Sequence, residues 1–253
     1  MQHSNIYTFK FVGVITIIVS LLLSFADTQY KGKYLFNIEI DKKKNILECL
    51  GVNIQSYSTA DIVIEYDKRI QELVISLNGD IIPNLFPDDL TIEENRLNGE
   101  INYYEEIEGK KIEFLPLYYS DKPEAYILPI SGKGLWSTLF GYFALDSDLT
   151  TVKGISFYKH KETAGLGGEI EKKWFRNNFI GKRIFDNFND LVGIQVIKGK
   201  VKDSVPEAKW DHAVDGISGA TITSKGVTAL VKRELNRYQY FINKKINNVK
   251  YIK

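Results

Sequence analysis

A long uncharged segment near the N-terminus places the strongest restriction on how this chain can fold. Residues 11–26, FVGVITIIVSLLLSFA, carry no charged side chain. As a helix rising about 1.5 Å per residue, the segment would extend roughly 24 Å, close to the ~30 Å hydrocarbon core of a bilayer. An unpatterned apolar run so near the N-terminus favours a membrane segment over the buried core helix of a soluble domain.

This segment is either an uncleaved membrane anchor or a secretory signal peptide. Its end, Ser24-Phe25-Ala26, offers small residues at the two positions that determine signal-peptide cleavage. Both interpretations place the rest of the chain on the extracytoplasmic side. The lysines favour the opposite orientation, with the C-terminal side in the cytoplasm. Only Lys10 precedes the segment, whereas Lys31, Lys33 and residues 42–44 follow it, and positive charge favours the cytoplasmic side. Large domains often override that charge bias, so we expect an exported C-terminal domain.

The charge balance and the cysteine count exclude several classes of protein. The chain has 33 Lys and Arg against 32 Asp and Glu, and its basic residues alternate with acidic ones, which disfavours nucleic-acid binding. Cys49 is the single cysteine, so an internal disulfide, a four-thiolate iron–sulfur cluster, a cysteine zinc site and a c-type haem are excluded. His160 and His212 lack metal-ligand spacing, and no metal site is expected. Any redox chemistry must therefore use an organic cofactor.

Hydrophobic periodicity predicts an α+β fold, in which an N-terminal transmembrane helix precedes a mostly antiparallel sheet domain with flanking helices. Residues 139–145 and 152–158 read as neighbouring strands joined by a polar turn at 146–148, and residues 191–197 as a further strand. Residues 168–179 look helical, with Ile170, Trp174 and Phe175 on one side, and residues 224–242 repeat apolar side chains at helical spacing. The Asn-Gly pairs at 78–79 and 98–99 indicate hairpins.

We divide the chain accordingly into five parts. These are an N-terminal tail (1–10), the membrane anchor (11–26), a juxtamembrane helix with a variable α/β portion (27–125), a ligand-binding domain (126–242) and a C-terminal tail (243–253).

The loop before the last predicted helix has the most chemical content. Residues 215–224, DGISGATITS, combine glycines that allow close backbone approach with several hydroxyls, directly before a helix N-terminus that attracts anions. A plain helix cap is the simpler interpretation of such a loop. However, Thr221 and Thr223 are two residues apart, so in an extended loop both hydroxyls would point the same way, and Asp215 could serve as a local acceptor or base.

The sequence SGATIT, with an aspartate three residues before the serine, resembles the flavinylation motif of the FMN-binding domains in sodium-translocating NADH:quinone reductases and Rnf complexes. The resemblance implies one FMN per chain, joined through a phosphoester bond to Thr223 rather than Thr221 and installed by a flavin transferase that uses FAD. It implies that the neighbouring motif residues shape the cofactor and transferase recognition site: Asp215, Ser218, Gly219, Ala220 and Thr221.

Two further segments resemble the C subunit of the sodium-translocating reductases. They are GKGLWS at residues 132–137 and HKETAGLGGEI at residues 160–170, where Ala164 stands in place of the family's usual proline. The Gly-Leu-Trp sequence favours the C subunit over its Rnf counterpart. The resemblance implies contacts to the flavin ring or ribityl chain from Glu162, Thr163, Leu166 and Gly167, and more weakly from Trp136.

The family resemblance implies a membrane-anchored electron carrier rather than a chain with catalytic residues of its own. Its complex would couple NADH oxidation and quinone reduction to Na⁺ export across the inner membrane, with the C-terminal domain on the periplasmic side. Its partners would be the other subunits and the flavin transferase. An Rnf-type or stand-alone flavin protein is the first alternative. The second is an exported binding domain whose loop holds a phosphate or nothing.

Overall fold

The computed structural model describes residues 5–250, with side chains described as far as residue 247. The chain divides into two units, Met1–Lys42 and Lys43–Lys253. The helices are α1 (Asn5–Cys49), α2 (Thr59–Arg69), α3 (Lys173–Arg176), α4 (Val201–Ser204) and α5 (Thr221–Lys250). The strands are β1 (Ile70–Ser76), β2 (Thr91–Asn95), β3 (Glu100–Ile107), β4 (Lys110–Asp121), β5 (Glu124–Lys133), β6 (Thr138–Asp146), β7 (Val152–Lys159), β8 (Gln195–Val196) and β9 (Ala213–Val214).

In the first unit, every described residue belongs to α1. Among residues 5–250, α1 is the one helix long and apolar enough to cross a membrane, and its apolar window is fully exposed. The predicted anchor, residues 11–26, lies inside it. Residues 5–10 of the predicted N-terminal tail are also helical, whereas residues 1–4 lie outside the described part of the chain.

A seven-stranded antiparallel sheet organises the described part of the second unit. Strands β2 to β7 lie in chain order, each paired with the next, and β1 pairs with β4. The pair β6 and β7 brings Phe143 opposite Ile155, and the chain turns between them at the predicted polar turn. The expected α+β fold, with an apolar N-terminal helix followed by a mostly antiparallel sheet and flanking helices, is confirmed.

Helix α5 covers one face of this sheet. Its apolar side chains recur at three and four residues, as on an amphipathic helix, and they share one buried core with inward-facing side chains of β4 to β7. The helix residues in this core include Val227, Leu230, Val231, Leu235 and Tyr238. The Tyr238 hydroxyl donates to the Pro116 carbonyl at 2.5 Å, so the buried phenol is satisfied on the sheet.

The C-terminal end of α1 covers part of the other face. The Cys49 thiol donates to the Tyr142 carbonyl at 3.3 Å, and the Ser156 hydroxyl donates to the Asn45 carbonyl at 3.1 Å. Burial raises the pKa of Cys49 to about 12, which makes this thiol unreactive at neutral pH. The sheet therefore has helices on both faces, and the loops after β5 and β7 lie at the same end of it.

The prediction of one helix over residues 168–179 is wrong. The structure has 3₁₀ turns at Gly167–Glu171 and Asn177–Phe179 on either side of α3, with Lys172 extended at φ −75° and ψ 144°. On a straight helix, Ile170 and Phe175 would point about 140° apart, and the break allows both to be fully buried. Trp174, predicted to share their side, is 48% exposed.

The predicted strand at residues 191–197 is also too long. Only Gln195–Val196 forms a strand, and it pairs in parallel with β9 outside the main sheet. Gly193 has φ +69°, which ends the extended conformation on its N-terminal side. In contrast, the helix predicted at 224–242 is longer than expected, because α5 begins at Thr221 and continues to Lys250, through residues 243–250 of the predicted tail.

Candidate functional site

The motif at residues 218–223 forms the entry into α5. Gly219 adopts φ +74°, and the Ala220 carbonyl accepts the first helical hydrogen bond, from the Ser224 amide at 2.9 Å. Ala220 is therefore the N-cap. The first amides of a helix have no carbonyl partner within it, and they form the positive end of the helix dipole. The last three motif residues thus belong to a helix terminus suited to an anion.

The expectation that the Thr221 and Thr223 hydroxyls point the same way is wrong. Both threonines lie in the first turn of α5, where residues two apart differ by about 200° in direction. Thr221 is exposed. Thr223 is 1% exposed, so its side chain faces the interior.

The buried Thr223 hydroxyl is paired with a buried carboxylate. Thr223 Oγ1 donates to Glu162 Oε2 at 2.5 Å, and Glu162 is 8% exposed. The same carboxylate accepts from two successive backbone amides, of Leu135 at 3.2 Å and of Trp136 at 2.9 Å. The loops after β5 and β7 therefore meet the first turn of α5 at Glu162.

These contacts determine the charge of Glu162. Burial by itself raises the pKa of this carboxyl, but the hydrogen bonds from Thr223 and from the amides of residues 135–137 outweigh it and hold the pKa below the usual range. Glu162 is therefore ionised at neutral pH. It presents a negative oxygen to the threonine hydroxyl.

Two glycines allow the loops to pack this closely. A Cβ on Gly167 would lie 2.5 Å from Thr223 Oγ1 and 2.7 Å from Glu162 Oε2. A Cβ on Gly134 would lie 2.6 Å from Glu162 Oε1. Any side chain at either position would push apart the carboxylate and its donors.

Apolar side chains around this pair remain exposed. Trp136 is 67% exposed, Ile222 56% and Leu166 43%. A Cβ on Gly219 would lie 2.8 Å from Leu166 Cδ2, so Leu166 lies against the motif loop. An aromatic ring held near Thr223 would find apolar surface on these residues.

Thr163 is exposed, and its carbonyl accepts from the Leu166 and Gly168 amides at 3.1 and 2.9 Å, which fixes the turn.

Asp215 and Ser218 are placed differently from the other motif residues. Asp215 Oδ1 accepts from the Val201 amide at 2.7 Å, so this side chain supports the first residue of α4. It lines a depression that also includes Lys182, Lys200 and Lys202. Ser218 is exposed. The structure thus brings Glu162 and Gly167 to Thr223, and it directs Asp215 to another contact.

Gly134 and Leu135 belong to this site although residue patterns did not single them out as site residues. Gly134 contributes by having no side chain, and Leu135 contributes its backbone amide. Neither contribution depends on a chemically distinctive side chain, so a sequence pattern does not reveal it. The only available signal was the two glycines at 132 and 134 before Trp136.

The donor set fits a flavin mononucleotide better than a metal. Free helix amides suit its phosphate, the exposed apolar side chains suit its ring, and Thr223 offers a hydroxyl whose proton is already directed at a base. Among the described residues, no group of three or more His, Cys, Asp or Glu side chains is placed to hold a metal ion.

The chain is similar to known proteins over most of its length. Residues 134–236 match the family model described as FMN-binding domain. The C subunit of the Na(+)-translocating NADH-quinone reductase from Pseudomonas aeruginosa is 34% identical over 240 residues, covering 91% of each chain. The same subunit from Yersinia pestis is 32% identical over 230 residues, covering 87% of this chain and 84% of that protein.

Solved structures agree in fold. The crystal structure of the C subunit from Parabacteroides distasonis matches with a TM-score of 0.62 at 28% identity, covering 84% of this chain and 96% of that one. NqrC from Shewanella oneidensis matches with a TM-score of 0.61 at 23% identity, covering 80% and 95%, a likeness that concerns the fold alone. Identity above 30% across nine tenths of both chains shows that this chain belongs to the C-subunit family of the Na(+)-translocating NADH-quinone reductases.

Proposed function

We propose that this chain is the membrane-anchored electron-transfer subunit of a Na⁺-translocating NADH:quinone reductase and that it carries FMN bonded covalently to Thr223. The observation that carries the proposal is the buried Thr223–Glu162 pair in the first turn of α5, inside the segment that matches FMN-binding domains. An ordinary helix cap would not need a carboxylate from a loop 61 residues away.

Each part of the site has a role in holding the cofactor. The first amides of α5 would hold the phosphate, and Thr223 would supply the bonding oxygen. The exposed side chains of Trp136, Leu166 and Ile222 would offer apolar surface to the ring. FMN, when bound, supplies the redox chemistry, and the hydrogen bonds, burial and charge around it tune its potential.

The membrane segment serves as an anchor and not as an ion path. Residues 11–26 carry no charged side chain, whereas ion pathways through membranes need polar or ionisable groups. We therefore assign Na⁺ export, NADH oxidation and quinone reduction to the assembled complex, in which other subunits are this chain's partners. The sheet domain lies on the periplasmic side, where a covalent bond retains a cofactor that would otherwise diffuse away.

In-gel flavin fluorescence after denaturation tests the proposal. The full chain is produced in cells with and without a flavin transferase, and its membranes are run on denaturing gels. We expect a fluorescent band only when the transferase is present. Thr223→Ala should remove the band and the matched variant Thr221→Ala should keep it, because Thr221 faces solvent, away from Glu162. A wild-type band that is dark, or one that survives in Thr223→Ala, contradicts the proposal.

The assignment to a sodium-translocating complex has a separate test. We expect the tagged chain to copurify with the other reductase subunits and the purified complex to need Na⁺ for quinone reduction. Copurification with a different set of redox subunits, without Na⁺ dependence, would indicate the Rnf-type alternative.

A further inference from the structure

We propose that the Glu162 carboxylate is the general base that takes the hydroxyl proton of Thr223 while the bond from this oxygen to the flavin phosphate forms. This inference rests on the proposed function, because it concerns how the covalent bond is made. It assigns the proton-transfer step to the acceptor chain itself and not to the transferase.

The geometry around the unmodified Thr223 hydroxyl matches that of proton transfer. The distance of 2.5 Å from Thr223 Oγ1 to Glu162 Oε2 is at the short end for a hydroxyl and a carboxylate. A general base must lie within hydrogen-bond reach of the proton it removes, and Glu162 fulfils this condition. Its other contacts, with the Leu135 and Trp136 amides, fix the carboxylate in this orientation.

The step balances without a redox reagent. The co-reactant is a flavin nucleotide with a pyrophosphate, FAD. A bond forms between Thr223 Oγ1 and the phosphorus on the riboflavin side, the pyrophosphate P–O bond breaks, AMP leaves, and the hydroxyl proton moves to Glu162 Oε2. Without a base, the attacking oxygen would carry a full positive charge as the bond forms.

The proton affinity of Glu162 rises as the bond forms. In the apo protein the Thr223 hydroxyl is one of the donors that lower the pKa of this carboxyl. Attachment removes that donor and places a phosphodiester anion next to the carboxylate, and a nearby like charge favours the protonated form. The carboxyl is thus ionised when the proton must be accepted and more basic once the proton has arrived.

Neighbouring titratable groups are directed away from the Thr223 hydroxyl. The His160 ring accepts from the Glu162 amide through Nδ1, and its buried Nε2, which has no hydrogen-bond partner among the described residues, lies 3.4 Å from Glu171 Oε2. Asp215 accepts from the Val201 amide. Among the described residues, Glu162 is the one carboxylate whose hydrogen bond to Thr223 the structure records.

The backbone of Gly167 covers the reacting pair. A Cβ on Gly167 would lie 2.5 Å from Thr223 Oγ1 and 2.7 Å from Glu162 Oε2. Ala164 and Gly165, in the turn just before it, are exposed. The exposed turn therefore lies directly beside the buried hydroxyl and carboxylate.

The test is a single-turnover attachment assay on the full chain in detergent with purified flavin transferase and FAD. The rate of covalent attachment is measured against transferase concentration, which separates the maximal rate from the half-saturating concentration. We expect Glu162→Gln to lower the maximal rate by about 100-fold or more, the usual contribution of a general base, with the half-saturating concentration unchanged. Glu162→Asp keeps the carboxylate and should recover part of the rate.

Asp148→Asn is the matched control. Asp148 also accepts from threonine hydroxyls, of Thr150 at 2.9 Å and Thr151 at 2.6 Å, and from their amides, but in the turn after β6. This variant should attach flavin at the wild-type rate. Glu162→Gln attaching at the wild-type rate overturns the inference and leaves the proposed function intact. Wild-type chain that acquires no covalent flavin contradicts the proposed function itself.

A second measurement keeps the inference testable if Glu162→Gln does not fold. Carbon-13 NMR of wild-type protein labelled at glutamate and histidine gives the pKa of Glu162 before and after flavin attachment, with His160 and Glu171 followed in the same titration. We expect a higher pKa in the flavin-bearing form. An unchanged or lower value shows that the carboxylate does not face the new phosphodiester, and it overturns the inference.

Discussion

Glu162 is stable as a buried charge because its carboxylate accepts hydrogen bonds from several donors. Thr223 and the amides of Leu135 and Trp136 replace the water that the carboxylate loses. Hydrogen bonds to a charged group stabilise a fold by about 1.5–3 kcal/mol. The same residue therefore joins the loops after β5 and β7 to the first turn of α5 and prepares the threonine for modification.

The first prediction concerns the pH dependence of apo stability. Because folding lowers the pKa of Glu162 from its ordinary value of 4.5, its stabilisation is present above about pH 4.5 and is lost as the pH falls through the folded-state pKa. We expect Glu162→Gln to unfold at a lower temperature than wild type near neutral pH and the difference to shrink in acid. Fluorescence of the chain's 3 tryptophans, all after residue 126, follows this transition. A difference that grows in acid would contradict the assignment.

The second prediction concerns the close approach at Gly167. In Gly167→Ala the new methyl would lie 2.5 Å from Thr223 Oγ1, so the hydroxyl and the carboxylate must separate. We expect a loss of about 1–3 kcal/mol in unfolding free energy and strongly reduced flavin attachment. Gly165→Ala is the control for loop flexibility, because a Cβ there meets no atom within 4 Å, although its φ of +75° adds backbone strain. Equal attachment in Gly167→Ala and wild type would contradict this packing.

Sequence reasoning found the two partners of this pair but not the contact between them. Thr223 and Glu162 were both identified through motifs, yet Glu162 was expected at the flavin ring or ribityl chain. The contact depends on where α5 begins. The sequence pattern starts this helix at residue 224, which leaves Thr223 in a loop, whereas α5 begins three residues earlier, at Thr221. In the helix, the Thr223 side chain faces the interior. Helix boundaries are the least certain feature of a sequence pattern.

Helix α5 is held to the sheet by buried charge as well as by apolar packing. Glu234 is 2% exposed and pairs with Arg233 at 2.9 Å and with Arg237 at 3.0 Å. Arg237 also bonds Glu113 and the Ile101 carbonyl, each at 2.8 Å. Arg237 thus connects α5 with strands β3 and β4, and Arg233 donates to the Ser131 carbonyl of β5. They fix the helix whose first turn carries Thr223.

The third prediction tests that network. Arg237→Ala leaves Glu234 buried with one fewer partner, and removing one member of a buried pair costs about 3–5 kcal/mol. We expect urea unfolding of the detergent-solubilised chain to shift to lower concentration, with flavin attachment lost in proportion to folding. Lys232→Ala, at an exposed position of the same helix, should unfold like wild type. Identical midpoints for the two variants would show that the arginine network is not what holds α5.

Elements with a clear period were predictable and irregular ones were not. The two apolar runs of β6 and β7 with a polar turn between them, and the three-four spacing in α5, gave the correct element types. Residues 167–179 were misassigned because helical spacing cannot show that Lys172 is extended. Helix α2 was not predicted, although a capping box at its start, Ser58 with Asp61, is a readable signal.

The fourth prediction concerns the membrane topology of the chain. The apolar segment and the lysines after it give opposite orientations, and we propose that the exported domain prevails. Alkaline phosphatase fused after residue 253 should be active in cells, and a green fluorescent protein at the same point should be dark. The reverse pattern would place Thr223 in the cytoplasm and would remove the reason for covalent retention.

Peptide mass spectrometry of the wild-type chain, purified from cells that express a flavin transferase, tests the central claim most directly. Trypsin releases residues 210–225, which contain both threonines of the motif. We predict that this peptide carries the mass of FMN less one water and that fragmentation places the addition on Thr223. An unmodified peptide, or an addition on Thr221, would contradict the account.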